Sequence, residues 1–393
     1  MQVNRHLQNK CVARILMSIF CLFTFFISIH KTTIHAEEDI VKIEKSKGLK
    51  AKEEKKKIEE EKAGTVTIRS VGDVLLHNTV YWNGQTGEKS YDFDFMFEPI
   101  AMYLKDADIT TANLETIVAG NDLGVSNYPL FNAPDQIVDS LIKMGVDIVS
   151  NATNHTMDYG AQGALISIQH LKDKGMEYIG SYESWDDYNR PRIIEKNGIK
   201  VGFLNYTYGT NGNPIPEDQP YLATLINTDL IPLEINRLKN FCDVTVVIYH
   251  FGEDSLLPVQ SQLDLTQLAI DAGANYVLGG HSHIMQPMKK FNDQQIVWYS
   301  HGNFISGQGK TYEKIGGIAE VTFTKDKEGK VTVSNHQVMP LYNFGHPEWS
   351  SYLVVPLIEA QDYGLWNGQE LYDEVETRFT DFDSEVKIVP YLK

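Results

Sequence analysis

VTVVIYHFGEDSLLPVQSQLDLTQLAIDAGANYVLGGHSHIMQP, residues 244–287, reads as strand, helix, strand. VTVVIY (244–249) and ANYVLGG (274–280) are apolar runs of strand length. QSQLDLTQLAIDAG (260–273) is helix-like and stops at a glycine, a common helix end. Each strand runs into histidine: His250 after the first, His281 and His283 after the second. Alternation of strand and helix implies an α/β fold with a largely buried sheet. In open α/β sheets, sites form beyond the carboxyl ends of the strands, where these histidines fall.

The same pattern extends in both directions. TVTIRSV (65–71), bounded by Gly72, leads to Asp73. DADITT (106–111) leads to Asn113 and Glu115, and VDIVS (146–150) leads to Asn154, His155 and Asp158. QQIVWYS (294–300) leads to His301 and Asn303. Helix-like stretches at 134–145 and 163–175 also end in glycine. Hairpins are expected at 192–204, turning on Asn197-Gly198, and at 318–338, turning near Glu328-Gly329.

Composition narrows the function. The chain of 393 residues has 35 Lys+Arg against 52 Asp+Glu, a net charge of −17. That excludes sequence-independent binding to nucleic acid, which needs clustered cations to displace counterions. A hydrophobic share of 42% with 22% charged residues excludes a wholly disordered chain and a multi-span membrane protein. Cys11 and Cys21 lie in an apolar N-terminal stretch, so Cys242 is alone in the body and no internal disulfide is expected.

At the N-terminus, Arg5, Lys10 and Arg14 precede ILMSIFCLFTFFISI (15–29), which carries no charge. This is the pattern of a secretory signal, with Ile34 and Ala36 at the −3 and −1 positions of a cleavage site. The alternative is a retained anchor, although the stretch is shorter than the ~20 residues of a full span. Residues 1–36 are therefore expected to be a signal peptide or N-terminal membrane anchor, and 37–64 a solvated Lys/Glu spacer. Residues 65–345 form the expected folded domain. Residues 346–393 are an acidic extension, an irregular tail or helix packed on that domain. Either N-terminal reading exports the body, to be anchored at the cell surface or secreted.

Taken singly, the strand-end residues have plain structural readings. Asp73 could be a turn residue or helix cap, Asn154 a cap, His250 a hydrogen-bonded core histidine and Asp158 a first-turn acid. Independent roles rarely place Asp, Glu, Asn and three His at five strand ends. Read jointly, Asp73, Glu115, Asn154, His250, His281 and His283 are candidate metal ligands. In extended backbone, i and i+2 project to one face, so His281 and His283 are expected to reach one site, with Gly279 and Gly280 permitting a tight turn. Carboxylates, an amide and imidazoles, with no thiolate, suit one or two divalent ions such as Mn, Zn or Fe. A bridging carboxylate, Asp73 or Glu115, would suit an ion pair that clamps a phosphoryl displacement. His155 is the candidate general acid and Asp158 the residue that orients its ring. His77, Asn113, His301 and Asn303 are candidates to line the site.

In this order, VGDVLLH, TANLET, ATNHTMDYG, VIYHFGED, LGGHSHIMQP and YSHGNF resemble the calcineurin-like metallophosphoesterase superfamily. More closely, they resemble its bacterial capsule-synthesis CapA branch, the poly-γ-glutamate synthesis proteins. The resemblance implies a four-layer α/β/β/α sandwich with two mixed β-sheets. It puts Asp73, Glu115, Asn154, His250, His281 and His283 at the superfamily's ligand positions, and His155 at its histidine near the leaving group. Where the wider pattern has Asp-x-His, this chain has Asp73-Val74-Leu75, with His77 two residues late. Where it has Gly-Asp, this chain has Asn113-Leu114-Glu115, and Thr153 replaces the Gly of a Gly-Asn-His triplet. One ion would thus have one imidazole fewer. The implied role is exported poly-γ-glutamate capsule biosynthesis or export, with a membrane synthase complex as partner and an anionic polymer or phosphate-containing substrate. A metal-dependent extracytoplasmic phosphoesterase without a capsule role, and a non-catalytic scaffold, stay open. The net charge repels polyglutamate; a bound dication, or Lys289 and Lys290, would offset that locally, although the plainer reading of those lysines is a solvated loop.

Overall fold

The computed structural model describes residues 64–345, 351–383 and 385–393, together with Met17. Apart from Met17, the expected signal or anchor lies outside the described residues, as does nearly all of the charged spacer. Gly64–Lys393 forms one compact unit. Among the described residues, no helix is long and apolar enough to cross a membrane.

The strands follow in chain order. β1 (Thr65–Leu75), β2 (Gln85–Gly87), β3 (Ser90–Tyr91), β4 (Ile109–Leu114), β5 (Ile148–Ser150) and β6 (Glu177–Ile179) come first. β7 (Arg192–Lys196), β8 (Ile199–Thr207), β9 (Val244–Phe251), β10 (Tyr276–His281), β11 (Met285–Asn292) and β12 (Gln295–His301) follow. β13 (Asn303–Ser306), β14 (Ile315–Lys325), β15 (Val331–Phe344), β16 (Leu353–Pro356) and β17 (Lys387–Ile388) complete the set. One sheet has the order β16-β15-β14-β1-β4-β5-β6, with β13 beside β1 and β17 beside β15. The other has the order β11-β12-β10-β9-β8-β7. Both are mixed: β1 is parallel to β4 and antiparallel to β14, and β12 is parallel to β10 and antiparallel to β11.

Side-chain alternation explains the layering. Val244, Val246 and Ile248 of β9 share a core with Val66 and Ile68 of β1, so that face meets the first sheet. Val247, Tyr249 and Phe251 project the other way, onto Ile231, Ile235, Ala269 and Ile270 of helices Leu230–Leu238 and Gln260–Ala272. β12 repeats this, with Ile296 and Trp298 inward and Val297 and Tyr299 outward. A strand buried on both faces reads as an unbroken apolar run, which is why 244–249 shows no polar alternation. Helices Gln136–Lys143 and Gly160–Lys174 bury Ile137, Leu141, Ile168 and Leu171 in the core of the first sheet. The architecture is a four-layer α/β/β/α sandwich.

Three local readings change. Gly72 does not end β1, which runs on to Leu75. A Cβ at Gly72 would lie 1.8 Å from the Gly302 carbonyl oxygen, so only glycine lets the Asp73 amide donate to that oxygen at 3.0 Å. The register slips between Val71 and Asp73, a bulge that re-aims Asp73. The C-terminal extension supplies more than a tail or helix. β16 and β17 both pair with β15, and helix Gly368–Phe382 buries Leu371, Val375 and Phe379. Lys289 and Lys290 lie on β11, where Lys290 pairs with Glu385 at 2.9 Å and the Lys289 ammonium sits over Phe291. Both hairpins form where the sequence places them, and Asn197 (φ 53°) and Gly198 (φ 79°) take the left-handed conformations of a tight Asn-Gly turn.

Candidate metal centre

The carboxyl ends of β1, β4, β9 and β10, from both sheets, bring ligand-type side chains together. Two triads form, each with its ligand atoms within 4.8 Å of one another: Glu115, His250 and His281, and Asp73, Glu115 and His283. Glu115 belongs to both. His250 Nε2 lies 3.3 Å from Glu115 Oε1 and 2.8 Å from Asn154 Oδ1, which adds the amide oxygen to the first triad. His283 Nδ1 lies 3.2 Å from Asp73 Oδ2 and 3.6 Å from Glu115 Oε2. The six candidate ligands therefore converge on one small region.

The route of convergence differs from extended alternation. His281 (φ 86°) and His283 (φ 56°) are both left-handed, so their rings meet through a strained loop. Nor do the two preceding glycines turn the chain; both lie within β10. A Cβ at Gly280 would lie 2.8 Å from Asp73 Oδ1 and 2.9 Å from Asn113 Nδ2. At Gly279 it would lie 1.9 Å from the Tyr299 carbonyl oxygen. Their absent side chains leave room for close packing of the centre.

Asp73, Glu115 and His250 are fully buried. Neither oxygen of Glu115 has a hydrogen-bond partner among the described residues. Burial pushes its carboxyl up to about 8, with the Asp73 charge adding to the rise. Burial also raises Asp73, but hydrogen bonding and charge from His283 outweigh it and hold the carboxyl down at about 2. Burial lowers His250 to about 3, and burial with the neighbouring imidazoles lowers His281 to about 2, so both rings are neutral donors at neutral pH. For His283 burial is outweighed by Glu115 and Asp73, and its pKa is raised. An ionised carboxylate with no hydrogen-bond donor is costly in a dry interior. A divalent cation between the triads would relieve that cost, so these residues fit a metal. No sulfur donor is present in either triad.

The neighbours are ordered around this core. Asn113 Nδ2 donates to Asp73 Oδ1 at 2.7 Å, and the Ser150 hydroxyl donates to Asn113 Oδ1 at 2.8 Å. Asn303 Oδ1 lies 3.1 Å from His283 Nδ1, while its Nδ2 donates to the Glu313 carbonyl at 2.8 Å. His301 sits below the centre, its Nδ1 donating to the Gly279 carbonyl at 2.5 Å and its ring against Trp298. Asn113, Asn303 and His301 thus support the centre from its walls and floor. His77 borders the cavity above, and its Nδ1 accepts the Gly307 amide at 3.1 Å. Leu75, at the position where the wider pattern has histidine, presents a buried apolar chain to that cavity.

His155 also borders this cavity of about 530 Å³. Its Nδ1 donates to Asp158 Oδ2 at 2.7 Å, which leaves Nε2 for proton exchange. Asp158 is fixed in turn by the Phe131 amide at 2.6 Å and by Asn213 Nδ2 at 3.3 Å. Sequence reasoning missed the wall formed by Tyr208, Asn211 and Asn213. They follow β8, a parallel neighbour of β9 in the register Thr207↔His250, and that adjacency is the signal that could have found them.

A family model described as bacterial capsule synthesis protein PGA_cap matches residues 67–308. The capsule biosynthesis protein CapA of Bacillus anthracis is 28% identical over 266 residues, covering 65% of this chain and 63% of that protein. The chain thus spans just under two thirds of that relative. The PGA biosynthesis protein CapA of Bacillus subtilis (strain 168) is 26% identical over 270 residues, covering 67% of this chain and 69% of the relative. Among solved structures, the NAD nucleotidase of Haemophilus influenzae is similar with a TM-score of 0.47 and 11% identity, covering 84% of this chain and 65% of that one.

Proposed function

The chain belongs to the bacterial capsule synthesis family PGA_cap, and on that premise we propose that it is an exported protein of poly-γ-glutamate capsule biosynthesis or export that carries a phosphoesterase-type divalent-metal centre. One observation carries the metal half: a fully buried, hydrogen-bond-orphaned Glu115 shared by two ligand triads. Glu115, Asn154, His250 and His281 would hold one ion, and Asp73, Glu115 and His283 a second. The oxygen and imidazole donors favour Mn, Zn or Fe. Bound ions supply Lewis-acid polarisation of a phosphoryl or carbonyl oxygen.

The chain's own residues do the rest. Asn113 and His283 keep Asp73 ionised and oriented. Asn303 and Glu115 hold the His283 ring against the centre. Asp158 keeps a proton on His155 Nδ1, so Nε2 is the atom that delivers a proton to a departing oxygen. The apolar run 15–29 and its basic flank support export, with the site outside the cytoplasm and a membrane capsule-synthase complex as partner.

Elemental analysis of the purified chain after dialysis against Mn²⁺ or Zn²⁺, with hydrolysis of an aryl phosphate before and after chelation, tests this reading. One to two ions per chain and chelator-sensitive turnover support it. A folded chain that retains no ion overturns it. A phosphoesterase acting outside capsule synthesis is the second reading, and the His155–Asp158 pair favours it over a scaffold, which has no use for an oriented proton donor. Deletion of the gene with capsule intact would select that second reading.

A further inference from the structure

The loop Tyr208–Asn213, YGTNGN, lies along one wall of the cavity above the centre. Its backbone is pinned. The Tyr208 amide donates to the His250 carbonyl at 3.1 Å, the Thr207 hydroxyl to the Gly209 carbonyl at 3.0 Å, and the Thr210 hydroxyl to the Asn213 carbonyl at 2.7 Å. Asn211 (φ 53°) and Gly212 (φ 80°) make the tight turn that presents the Asn211 amide to Asn154, whose Nδ2 lies 3.4 Å from Asn211 Oδ1. The Tyr208 ring packs 4.5 Å from the His281 ring, and its hydroxyl donates to Asn211 Oδ1 at 3.2 Å. Asn213 reaches Asp158, the partner of His155. One loop therefore touches both the candidate ligands and the partner of the candidate proton donor, yet Tyr208, which borders the cavity, is half exposed.

The cavity's charge pattern adds the second half. Among the described residues, its lining includes no Lys, Arg, Asp or Glu; above the centre it is amide, imidazole and aromatic. Lys310, two residues beyond the lining Gln308, is engaged by Glu313 at 2.7 Å and Asp254 at 3.7 Å. Sites that read several anionic groups use Arg or Lys for each. Among the described residues that line the cavity none is Lys or Arg, so bound metal would supply the strong positive charge for a ligand.

We propose that Tyr208–Asn213 is the specificity-determining wall of the site, and that it selects a ligand with one phosphoryl head on an uncharged, planar body that stacks on Tyr208. This rests on the metal-centre reading above. The metal takes the head, Tyr208 the face of the body, and Asn211 and Asn213 polar atoms at its edge.

The test uses the full chain loaded with Mn²⁺ and calorimetric binding of three probes: inorganic phosphate, phenyl phosphate and 4-carboxyphenyl phosphate. Phenyl phosphate should bind about tenfold more tightly than phosphate, the scale of one aromatic stack. 4-Carboxyphenyl phosphate, which adds an anionic carboxylate to the ring, should bind more weakly than phenyl phosphate. Tyr208→Phe should keep the phenyl preference and Tyr208→Ala should erase it, both with unchanged metal content. A phenyl preference that survives Tyr208→Ala, or that is missing from the unmodified chain, overturns the proposal. So does a tighter 4-carboxyphenyl complex. Metal loss in Tyr208→Ala would make the ring a clamp on His281 and likewise overturns it. These four outcomes leave the metal centre standing, whereas failure of every probe to bind a Mn²⁺-treated chain removes both readings.

Discussion

The two halves of the centre share Glu115 but differ in their surroundings. Around His250 and His281 the carboxylate is joined by Asn154, and the Tyr208 ring covers His281. That half has four candidate protein donors. Around His283 the donors are Asp73 and Glu115, with Leu75 contributing no ligand atom. That half has three donors. A site with more protein donors holds its ion against exchange, while one with fewer keeps positions open for water or substrate. On the metal-centre reading, the first half would retain an ion and the second would exchange one.

The comparison is broken most completely through the shared residue. Glu115→Gln keeps the shape and removes the charge common to both halves, so elemental analysis should find both ions lost while circular dichroism stays native. Next, His281→Ala combined with His283→Ala should abolish metal loading with the fold intact. The single variants sharpen the contrast: His281→Ala should cost the tightly held ion, and His283→Ala should leave about one ion per chain resistant to dialysis. Equal losses in the two single variants would erase the distinction between the halves.

A third change bypasses both halves. His155→Ala should retain metal but lower aryl phosphate hydrolysis by roughly 10²–10⁴, the usual loss for a general acid. The smallest effect is a pH dependence. Glu115 is raised to about 8 and His283 is raised as well, so both carry protons at neutral pH in the metal-free chain. Those protons must leave when an ion binds. Affinity should therefore rise from pH 6 to pH 9, by up to about tenfold per unit for each proton released. His250 and His281, held at about 3 and about 2, have no proton to lose in that range. Calorimetry in two buffers of different ionisation enthalpy would count the protons; none released would contradict the assignment.

Much of the fold was legible because its signals are local. Apolar runs such as 244–249 and glycine-stopped helices such as 260–272 need no distant partner to be read. The candidate ligands were legible because they stand at strand ends. Other features carried no local signal. The glycines before His281 looked like turn residues, but Gly280 makes room for Asp73, from a strand more than 200 positions away, and Gly279 for the Tyr299 carbonyl. YGTNGN carries no local mark of the site; the pairing of β8 with β9 sets it beside His250. Lys289 and Lys290 looked more like a solvated loop than a patch for a polyanion, but they lie on β11, beside Phe291 and Glu385.

Residue chemistry and chain order settled which donors exist, how they are spaced and that they lie at one end of parallel strands. Period-2 burial and loop chemistry are properties of neighbouring residues, so one dimension suffices to read them. The sharing of Glu115, the left-handed turns of His281 and His283, and the Tyr208 cover were decided by tertiary structure alone. The sharing of Glu115 depends on two sheets packing face to face and the Tyr208 cover on β8, β9 and β10 lying side by side, and the energy of an unpaired buried charge is defined only once distant segments have excluded water from it.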